Sequence, residues 1–478
     1  MKNYFKKLFD VQDMTYGPIW RRIAAFAIPL LIGNVVQQLY NTVDAVVVGR
    51  YVGDEALAAV GASGPIMFLV LVFFMGISTG TGIMVSQYFG ARDRSSLSKT
   101  IGTTITLMLI TSALIMVLGP LITRPLLALI KTPDNIIDQT AQYLMIIFIG
   151  ITGIAFYNGI SGILRGMGDA LMPLAFLTIT CLMNIALDIW FVAGLGWGVA
   201  GAAWATVISQ WISAVLCLMR LLRKNDAYEL KPAMLKIDKT LALQMGRLGL
   251  PAAATQIVFS LANILIQALI NQFGSDYIAS QTIVMRVDAF AVMPIFSFGM
   301  AMSTFTGQNV GAGKLDRVEK GVRTGLLMGV SITAFLDIMM FLFGRYLMQI
   351  FTDTRHIIDM GYTILRILLP GYLGFSAAQI FFGAIRGAGD TVSSMWISMV
   401  TTVAIRTPLA YLLAWITRSP EYPVGRPEVI PVTLMLAWLL SALFAGLVYR
   451  AGRWRTKGLI TQPAGSENGE SRASQSEG

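Results

Sequence analysis

The sequence is poor in charge and has little cysteine or histidine. Charged residues make up only 13% of the 478-residue chain, against about 25% in an ordinary soluble domain, which excludes a soluble enzyme or a disordered chain. The two cysteines, Cys181 and Cys217, both lie in apolar runs, so a disulfide framework and a thiolate metal site are excluded. A histidine-based metal site or nucleophile would need a second histidine, and the chain has one, His356.

Apolar residues make up 55% of the chain and are gathered into long runs. A helix that crosses a bilayer core needs about 20 predominantly apolar residues, and twelve runs are long enough. We therefore predict an all-α integral membrane protein with twelve transmembrane helices. The predicted helices cover residues 23–48, 57–88, 100–123, 136–164, 170–194, 197–222, 241–271, 278–308, 321–343, 357–384, 391–417 and 430–450.

The chain has a net charge of +10, and the distribution of its lysines and arginines indicates how it is oriented in the membrane. If the N-terminus lies inside, the predicted cytoplasmic segments hold 26 lysines and arginines, and the outer loops hold 7. Positive residues concentrate on the cytoplasmic side of membrane proteins, so we predict a multi-pass protein of the plasma (inner) membrane with both termini in the cytoplasm. Topology accounts for the positive charge, and no nucleic-acid partner is predicted.

The longest polar interruption of the membrane region separates two groups of six predicted helices and reads as a linker. The predicted segments are a cytoplasmic N-terminal segment at 1–22, an N-terminal six-helix bundle at 23–222, a cytoplasmic linker at 223–240, a C-terminal six-helix bundle at 241–450, and a mostly disordered cytoplasmic tail at 451–478.

An internal repeat relates the two bundles. Residues 162–169 (GILRGMGD) recur as residues 383–390 (GAIRGAGD), an offset of 221, and residues 87–91 (QYFGA) recur as residues 308–312 (QNVGA) at the same offset. Six helices separate the copies, so the two bundles have the same orientation and are related by a pseudo-two-fold axis along the membrane normal. Such repeats commonly place a substrate site between two bundles that rock against each other.

Polar residues inside the first bundle share faces and depth. Helix 1 carries Asn34, Gln37, Asn41 and Asp44 on one face, helix 5 carries Asn184 and Asp188, and helix 6 carries Thr206. A rise of about 1.5 Å per residue places Asp44, Asp188 and Thr206 in the same outer half of the bundle. Carboxyl, amide and hydroxyl groups together suit a monovalent cation or a proton. The repeat counterparts of the two acids are Ile266 and Leu409, so the acid pair belongs to one half only.

Other polar residues are predicted to lie inside the helices. Asp288, Arg366 and Arg406 are expected to form a buried ionic network in the second bundle, or to place an arginine in the cavity and widen the substrate range towards anions. The predicted lining of the cavity comprises Gln37, Tyr40, Asn41, Tyr143, Asn158, Asp288, Arg366 and Arg406.

Taken together, the motifs resemble those of the multidrug and toxic compound extrusion (MATE) family, in the multidrug/oligosaccharidyl-lipid/polysaccharide exporter superfamily. They are a first helix with Pro29 that leads into residues 37–44 (QQLYNTVD), the two RGxGD loops, and twelve helices in two copies. The resemblance implies two bundles in a V shape around a central cavity. It also implies cation-coupled antiport, driven by Na⁺ or H⁺, that expels mostly cationic amphipathic compounds.

The family's cation site maps onto the acid pair of the first bundle. The resemblance implies that the coupling ion binds at Asp44, Asn184, Asp188 and Thr206. It also implies that helix 1 bends at Pro29 when that site changes its charge state. Sodium-coupled members of the NorM type carry acids on helices 7 and 10 where this chain has Phe259 and Phe375, which puts coupling through the second bundle in doubt.

We therefore predict a monomeric secondary transporter, in contact with membrane lipids, that exchanges cytoplasmic amphipathic compounds for external Na⁺ or H⁺ by alternating access. No catalytic residue, cofactor or metal is predicted beyond that ion. One alternative is a flippase for a lipid-linked precursor, which would need a larger and more basic cavity.

A remote alternative is an intramembrane aspartyl protease, because residues 166–169 match the GxGD motif of that class. The motif occurs twice, however, and no partner Tyr-Asp motif lies on a neighbouring helix. We predict instead that Asp169 and Asp390 cap the helices that follow them.

Overall fold

The computed structural model describes residues 12–223, 227–231 and 234–459. In this part of the chain, eleven helices are long and apolar enough to cross a membrane, and a bent pair of helices makes a twelfth span. The spans are α1 Ile19–Tyr51, α2 Asp54–Gly90, α3 Arg94–Leu129, α4 Asp134–Ile149 with Ile151–Gly166, α5 Leu171–Gly194, α6 Gly198–Leu222, α7 Lys239–Ile270, α8 Ser275–Gly311, α9 Leu315–Gln349, α10 Arg355–Gly387, α11 Thr391–Ile416 and α12 Val429–Arg450. The all-helical membrane fold predicted from the sequence is confirmed.

The predicted segment boundaries stay predictions. Residues 1–11 and 460–478, which include most of the predicted tail, lie outside the described residues.

Large apolar side chains cover the outer surface of the helices: Leu121, Phe290 and Leu327 are each at least 70% exposed. Such a surface suits contact with lipid chains and would be costly in water.

Aspartate side chains cap the N-termini of several helices. The Asp93 carboxylate accepts from the Ser96 backbone N–H at 3.0 Å, which satisfies one of the donors left free at the start of α3. In the two RGxGD loops, Asp169 accepts from the Met172 backbone N–H at 3.1 Å and Asp390 from that of Ser393 at 3.2 Å. The prediction that the loop aspartates are helix caps is therefore confirmed.

Three of the spans depart from a straight α-helix. The two parts of α4 meet at 53° around Gly150, where a Cβ atom would lie 2.3 Å from the side chain of Val207 on α6. The last turn of α5, Ile189–Gly194, and the middle of α11, Val400–Arg406, are π-helical. Turns of this kind are frequent at functional sites, and the first one follows directly after Asp188.

The chain folds into two halves, α1–α6 and α7–α12, that meet along α1, α2, α7 and α8. The backbones of α2 and α7 touch through glycines: a Cβ on Gly80 would lie 2.3 Å from the Met245 carbonyl oxygen, and one on Gly249 would lie 2.2 Å from that of Gly76. Small residues allow close helix packing in membranes. A larger residue at Gly80 or Gly249 would push the two halves apart.

Both ends of the described chain lie at one face of the molecule, formed by residues 12–17 and 453–459, which we call the terminal face. Here α2 and α8 end side by side. A Cβ on Gly90 would lie 1.9 Å from the Gln308 carbonyl oxygen, and a Cβ on Gly311 would lie 1.9 Å from that of Gln87. The helix ends approach this closely because glycine has no side chain.

Two buried glutamines cross between the halves at the terminal face. Gln87 Nε2 donates to the Gly387 carbonyl at the end of α10 at 2.9 Å, and Gln308 Nε2 donates to the Gly166 carbonyl at the end of α4 at 3.1 Å. Gln87 and Gln308 are repeat counterparts, as are Gly166 and Gly387. Each half thus supplies one glutamine and one RGxGD turn, and we call this reciprocal arrangement the glutamine contact.

The terminal segments complete the glutamine contact. The Met14 backbone N–H donates to Gln308 Oε1, and the Leu459 backbone N–H donates to Gln87 Oε1, each at 2.8 Å. Neither glutamine side chain is accessible to solvent. The segments before α1 and after α12 are therefore parts of the closed contact between the halves.

Candidate functional site

The acid pair predicted from helices 1 and 5 is brought together in the first half. The carboxyl groups of Asp44 on α1 and Asp188 on α5 lie within hydrogen-bonding distance of each other. Asp188 is fully buried, and Oδ1 of each carboxyl group has no hydrogen-bond partner. Two carboxylates in contact repel each other, so the pair needs a shared proton or a bound cation.

Polar neighbours from α1, α5 and α6 surround the acid pair. With its amide oriented to satisfy both neighbours, Asn184 donates to Asp188 Oδ2 at 2.9 Å and accepts from the Thr206 backbone N–H at 3.3 Å. The Tyr40 hydroxyl donates to Thr206 Oγ1 at 3.3 Å, and Tyr143 is buried close to both acids. The four predicted residues of the cation site therefore do meet in space.

The donor atoms of this cluster fit a proton or a monovalent cation. The unpartnered carboxyl oxygens and the Thr206 hydroxyl are hard ligands of the kind that alkali and alkaline-earth ions take. In the described chain, no three side chains from His, Cys, Asp and Glu gather to hold a metal ion. Asp44, Asp188 and Thr206 thus offer oxygen ligands for a monovalent cation, and the two carboxyl groups can also share a proton.

The ionic network predicted for the second half is wrong. Arg366 is exposed, and its guanidinium carbon lies 5.8 Å from the ring centroids of Phe341 and Tyr362. Asp288 accepts instead from the Tyr372 hydroxyl. The prediction used depth along each helix, but depth does not specify which side of the helix a residue occupies.

Arg406 contacts a residue that lines the cavity between the halves. It is buried in the π-helical part of α11, and its Nη1 donates to Asn263 Oδ1 on α7 at 3.3 Å. Its Nε has no partner in the described structure. Arg406 therefore supports a residue of the cavity wall, Asn263, rather than pairing with an acid.

A cavity of about 510 Å³ lies between the halves. Its walls come from α7, α8, α10 and α11 of the second half and from α2 and α4 of the first. On α10 it spans residues 375–386 and on α11 residues 391–398, so it lies nearer the terminal face than the opposite one. Its volume is typical of sites for drug-sized ligands.

The cavity was predicted to lie nearer the first bundle than it does. The residues predicted to line it therefore lie elsewhere. Gln37 donates to Asn41 at 3.4 Å on the same helix, and Asn41 borders a separate, shallow pocket with Arg50 and Arg286. The Asn158 amide donates back to the Ile154 carbonyl at 2.9 Å. The predicted set of Gln37, Tyr40, Asn41, Tyr143, Asn158, Asp288, Arg366 and Arg406 has no member in the lining of this cavity.

Two arginines that line the cavity were missed as site residues. Arg165 and Arg386 stand in the last turns of α4 and α10 and are repeat counterparts. Both were predicted to be cytoplasmic loop residues, because the apolar runs stop at these positions. The signal that could have found them was the arginine common to both RGxGD motifs.

Comparison with known proteins decides the family. Two copies of the MatE family model match the chain, at residues 29–190 and 251–412, and together they cover more than half of it. The chain belongs to the MATE family. The two matched segments begin 222 residues apart (251 − 29), which agrees with the repeat found in the sequence to within one residue.

Curated relatives of this MATE protein cover nearly its whole length. It is 32% identical over 436 residues to the probable multidrug resistance protein YoeA of Bacillus subtilis, with 89% of this chain and 94% of the relative covered. It is 25% identical over 464 residues to the probable multidrug resistance protein NorM of Thermotoga maritima, with coverages of 94% and 96%. These relatives imply small-molecule substrates.

The fold is also that of solved MATE structures. The outward-facing conformation of a multidrug resistance MATE family transporter superimposes with a TM-score of 0.84 at 22% identity, over 94% of this chain and 98% of that one. The chain is thus a multi-pass MATE transporter of the multidrug resistance type and not an enzyme. The family is cation-coupled.

Proposed function

We propose that this MATE transporter exports cytoplasmic amphipathic compounds in exchange for external Na⁺ or H⁺, and that the ion binds at Asp44, Asn184, Asp188 and Thr206. One observation carries the proposal: the buried acid pair, with an unpartnered oxygen on each carboxyl group, occurs in one half only. A duplicated scaffold needs no such asymmetry. A buried ionisable pair at membrane depth is a functional feature by default.

Helix α1 connects this ion site to the contact between the halves. It carries Asp44, and ten residues earlier the Asn34 amide donates to the Ser297 hydroxyl on α8 of the other half at 3.3 Å. Binding of the ion at Asp44 changes the charge on a helix that also holds this contact. Pro29 lies inside α1 beyond Asn34, and a proline removes one backbone hydrogen bond and permits a bend. We propose that α1 bends there during transport.

We propose that alternating access proceeds by opening and closing of the glutamine contact. The glutamine contact closes the terminal face, which we propose to be cytoplasmic from the distribution of positive charge. Occupation of the acid pair by the ion favours outward release of the exported compound. Departure of the ion then permits the terminal face to close again around the next compound to be exported. The predicted preference for cationic compounds remains a prediction from the family. The alternative of a flippase for a lipid-linked precursor also stays a prediction.

The test is transport by the full-length protein in liposomes with imposed Na⁺ or pH gradients and a fluorescent amphipathic compound. Asp44→Asn is expected to abolish coupling to the gradient, because the amide can neither lose a proton nor offer a carboxylate to Na⁺. Asp138→Asn is the matched control, since Asp138 is exposed and, among the described residues, pairs with Arg124 alone at the surface. Gradient-driven transport that survives in the Asp44 variant would falsify the proposal.

A further inference from the structure

The geometry points to an amphipathic anion as the compound that the cavity between the halves binds, with Arg165 and Arg386 as the residues that recognise its acidic group. This inference rests on the proposed function only in taking this cavity as the site of the exported compound. It reverses the charge preference expected from the family resemblance.

The charge in the cavity wall is of one sign. Arg165 and Arg386 are its charged members, and none of the described residues that line the cavity is an aspartate, glutamate or lysine. The positions on α7 and α10 where sodium-coupled relatives of the NorM type are expected to carry acids are Phe259 and Phe375, and both lie in this wall. A cationic compound would meet two positive groups here and no negative one.

Neither arginine has a carboxylate partner among the described residues. Arg386 Nε donates to the Phe382 carbonyl at 3.2 Å and one of its terminal nitrogens donates to Gln379 Oε1 at 3.5 Å, so most of its five N–H donors are left over. Within the described residues, the Arg165 side chain makes neither a hydrogen bond nor an ion pair. Both side chains are half-buried. A guanidinium withdrawn from water without a counter-charge is costly, and an acidic ligand would remove that cost.

The repeat brings the two arginines to one cavity. Each stands one residue before the glycine whose carbonyl accepts from a glutamine of the opposite half, Gly166 for Arg165 and Gly387 for Arg386. The glutamine contact therefore holds the backbone of the residue that follows each arginine. A positively charged residue needed only for topology could extend into solvent at the membrane edge, as exposed Arg92 and Arg94 do at the same face.

The rest of the wall suits a flat apolar body. The rings of Phe296 and Phe375 meet edge to face with centroids 5.6 Å apart, and Phe375 stacks on Trp438 behind it at 5.0 Å. Phe259, Met300 and Met395 add apolar surface, and hydroxyl groups of Ser260, Thr304 and Thr391 are spread among them. Aromatic surface beside two arginines that have no carboxylate partner among the described residues fits an aromatic compound that bears a carboxylate, sulfonate or phosphate.

The experiment compares two dyes that share a ring system and differ in charge: fluorescein, an anion, and rhodamine 123, a cation. Binding to the purified full-length protein in detergent is measured by fluorescence anisotropy. We expect fluorescein to bind at least tenfold more tightly. Arg165→Gln and Arg386→Gln are each expected to weaken fluorescein binding about tenfold, the size of one charge-assisted hydrogen bond, and to leave rhodamine 123 binding unchanged or stronger.

Arg366→Gln is the matched control, because it removes the same charge from α10 at an exposed position outside the cavity. Arg165→Lys and Arg386→Lys keep the charge and are expected to retain more fluorescein binding than the glutamine variants. They also keep the test decisive if a glutamine variant does not fold. Tighter binding of rhodamine 123 to the unaltered protein, or equal losses in the Arg366 control and the cavity variants, would overturn the inference.

Transport separates this inference from the proposed function. If an ion gradient drives export of rhodamine 123 but not of fluorescein, antiport stands and the anion inference falls. If fluorescein binding depends on both arginines while no gradient drives export of either dye, the anion site stands and the antiport proposal falls. Both the antiport proposal and the anion inference are supported if an ion gradient drives fluorescein export, and if this export is lost on substitution of Arg165 or Arg386 but retained in the Arg366 control.

Discussion

Replacement of Gln308 by alanine removes two buried hydrogen bonds that join the halves at the terminal face. The bonds are those from its Nε2 to the Gly166 carbonyl at 3.1 Å and from the Met14 N–H to its Oε1 at 2.8 Å. Each is worth about 1 kcal/mol net, and the groups left without a partner add to the loss. The contact should weaken by about 2–3 kcal/mol, which is roughly a 30- to 150-fold change in the ratio of closed to open molecules.

The assay is a distance measurement by double electron–electron resonance between spin labels at Ser95 and Asp316, exposed positions next to α2 and α8. The native cysteines, Cys181 and Cys217, are buried and would be replaced by alanine. Gln308→Ala is expected to shift the distance distribution to longer values.

Because of the pseudo-symmetry, Gln87→Ala is expected to have a similar effect on that distribution. The double variant should fall short of additive, since the two glutamines lie in one contact. Gln272→Ala is the control, because Gln272 is exposed and bonds only to Ala268 on its own turn. An unchanged distribution in both single variants would refute the view that the glutamine contact holds this face closed.

Further predictions concern stability. Asp169→Asn should lower the free energy of unfolding by about 3–5 kcal/mol, because Asp169 is buried and pairs with Arg220 at 2.9 Å. Asp138→Asn, at the exposed pair with Arg124, should lower it by less than about 1 kcal/mol. Thermal unfolding of the two variants in detergent measures the difference. Burial raises the pKa of Tyr228, in the linker, to about 12. The stability that this phenol contributes should therefore be present below about pH 10 and be lost as the pH rises through 12, so Tyr228→Phe should be less sensitive to pH in this range.

The helices could be predicted because lipid imposes a length on every span. The second helix was predicted at residues 57–88 and is observed at Asp54–Gly90, so polar residues marked its ends to within three positions. The break in α4 at Gly150 could not be predicted. It depends on close packing against Val207, which lies on another helix, and a hydropathy pattern carries no information about such contacts.

The candidate ion site was predictable because depth and helix face together fix a position. Asp44 and Asp188 lie on polar faces of their helices and share their depth with Thr206, and the structure brings all three together. Arg366 matched its expected partners in depth alone and lies on another side of its helix. Arg165 and Arg386 stand where the apolar runs stop, so both were predicted to lie in loops although both residues line the cavity.

The reciprocity of Gln87 and Gln308 has a consequence for the ancestry of the molecule. Each repeat carries a glutamine and the turn that receives the glutamine of the other repeat. An arrangement in which one surface meets its own counterpart is that of an isologous homodimer. A single six-helix unit, before gene duplication and fusion, would already have possessed both surfaces needed to pair with a second identical copy. The asymmetric acids could then have been acquired in one repeat without disturbing the interface that both share.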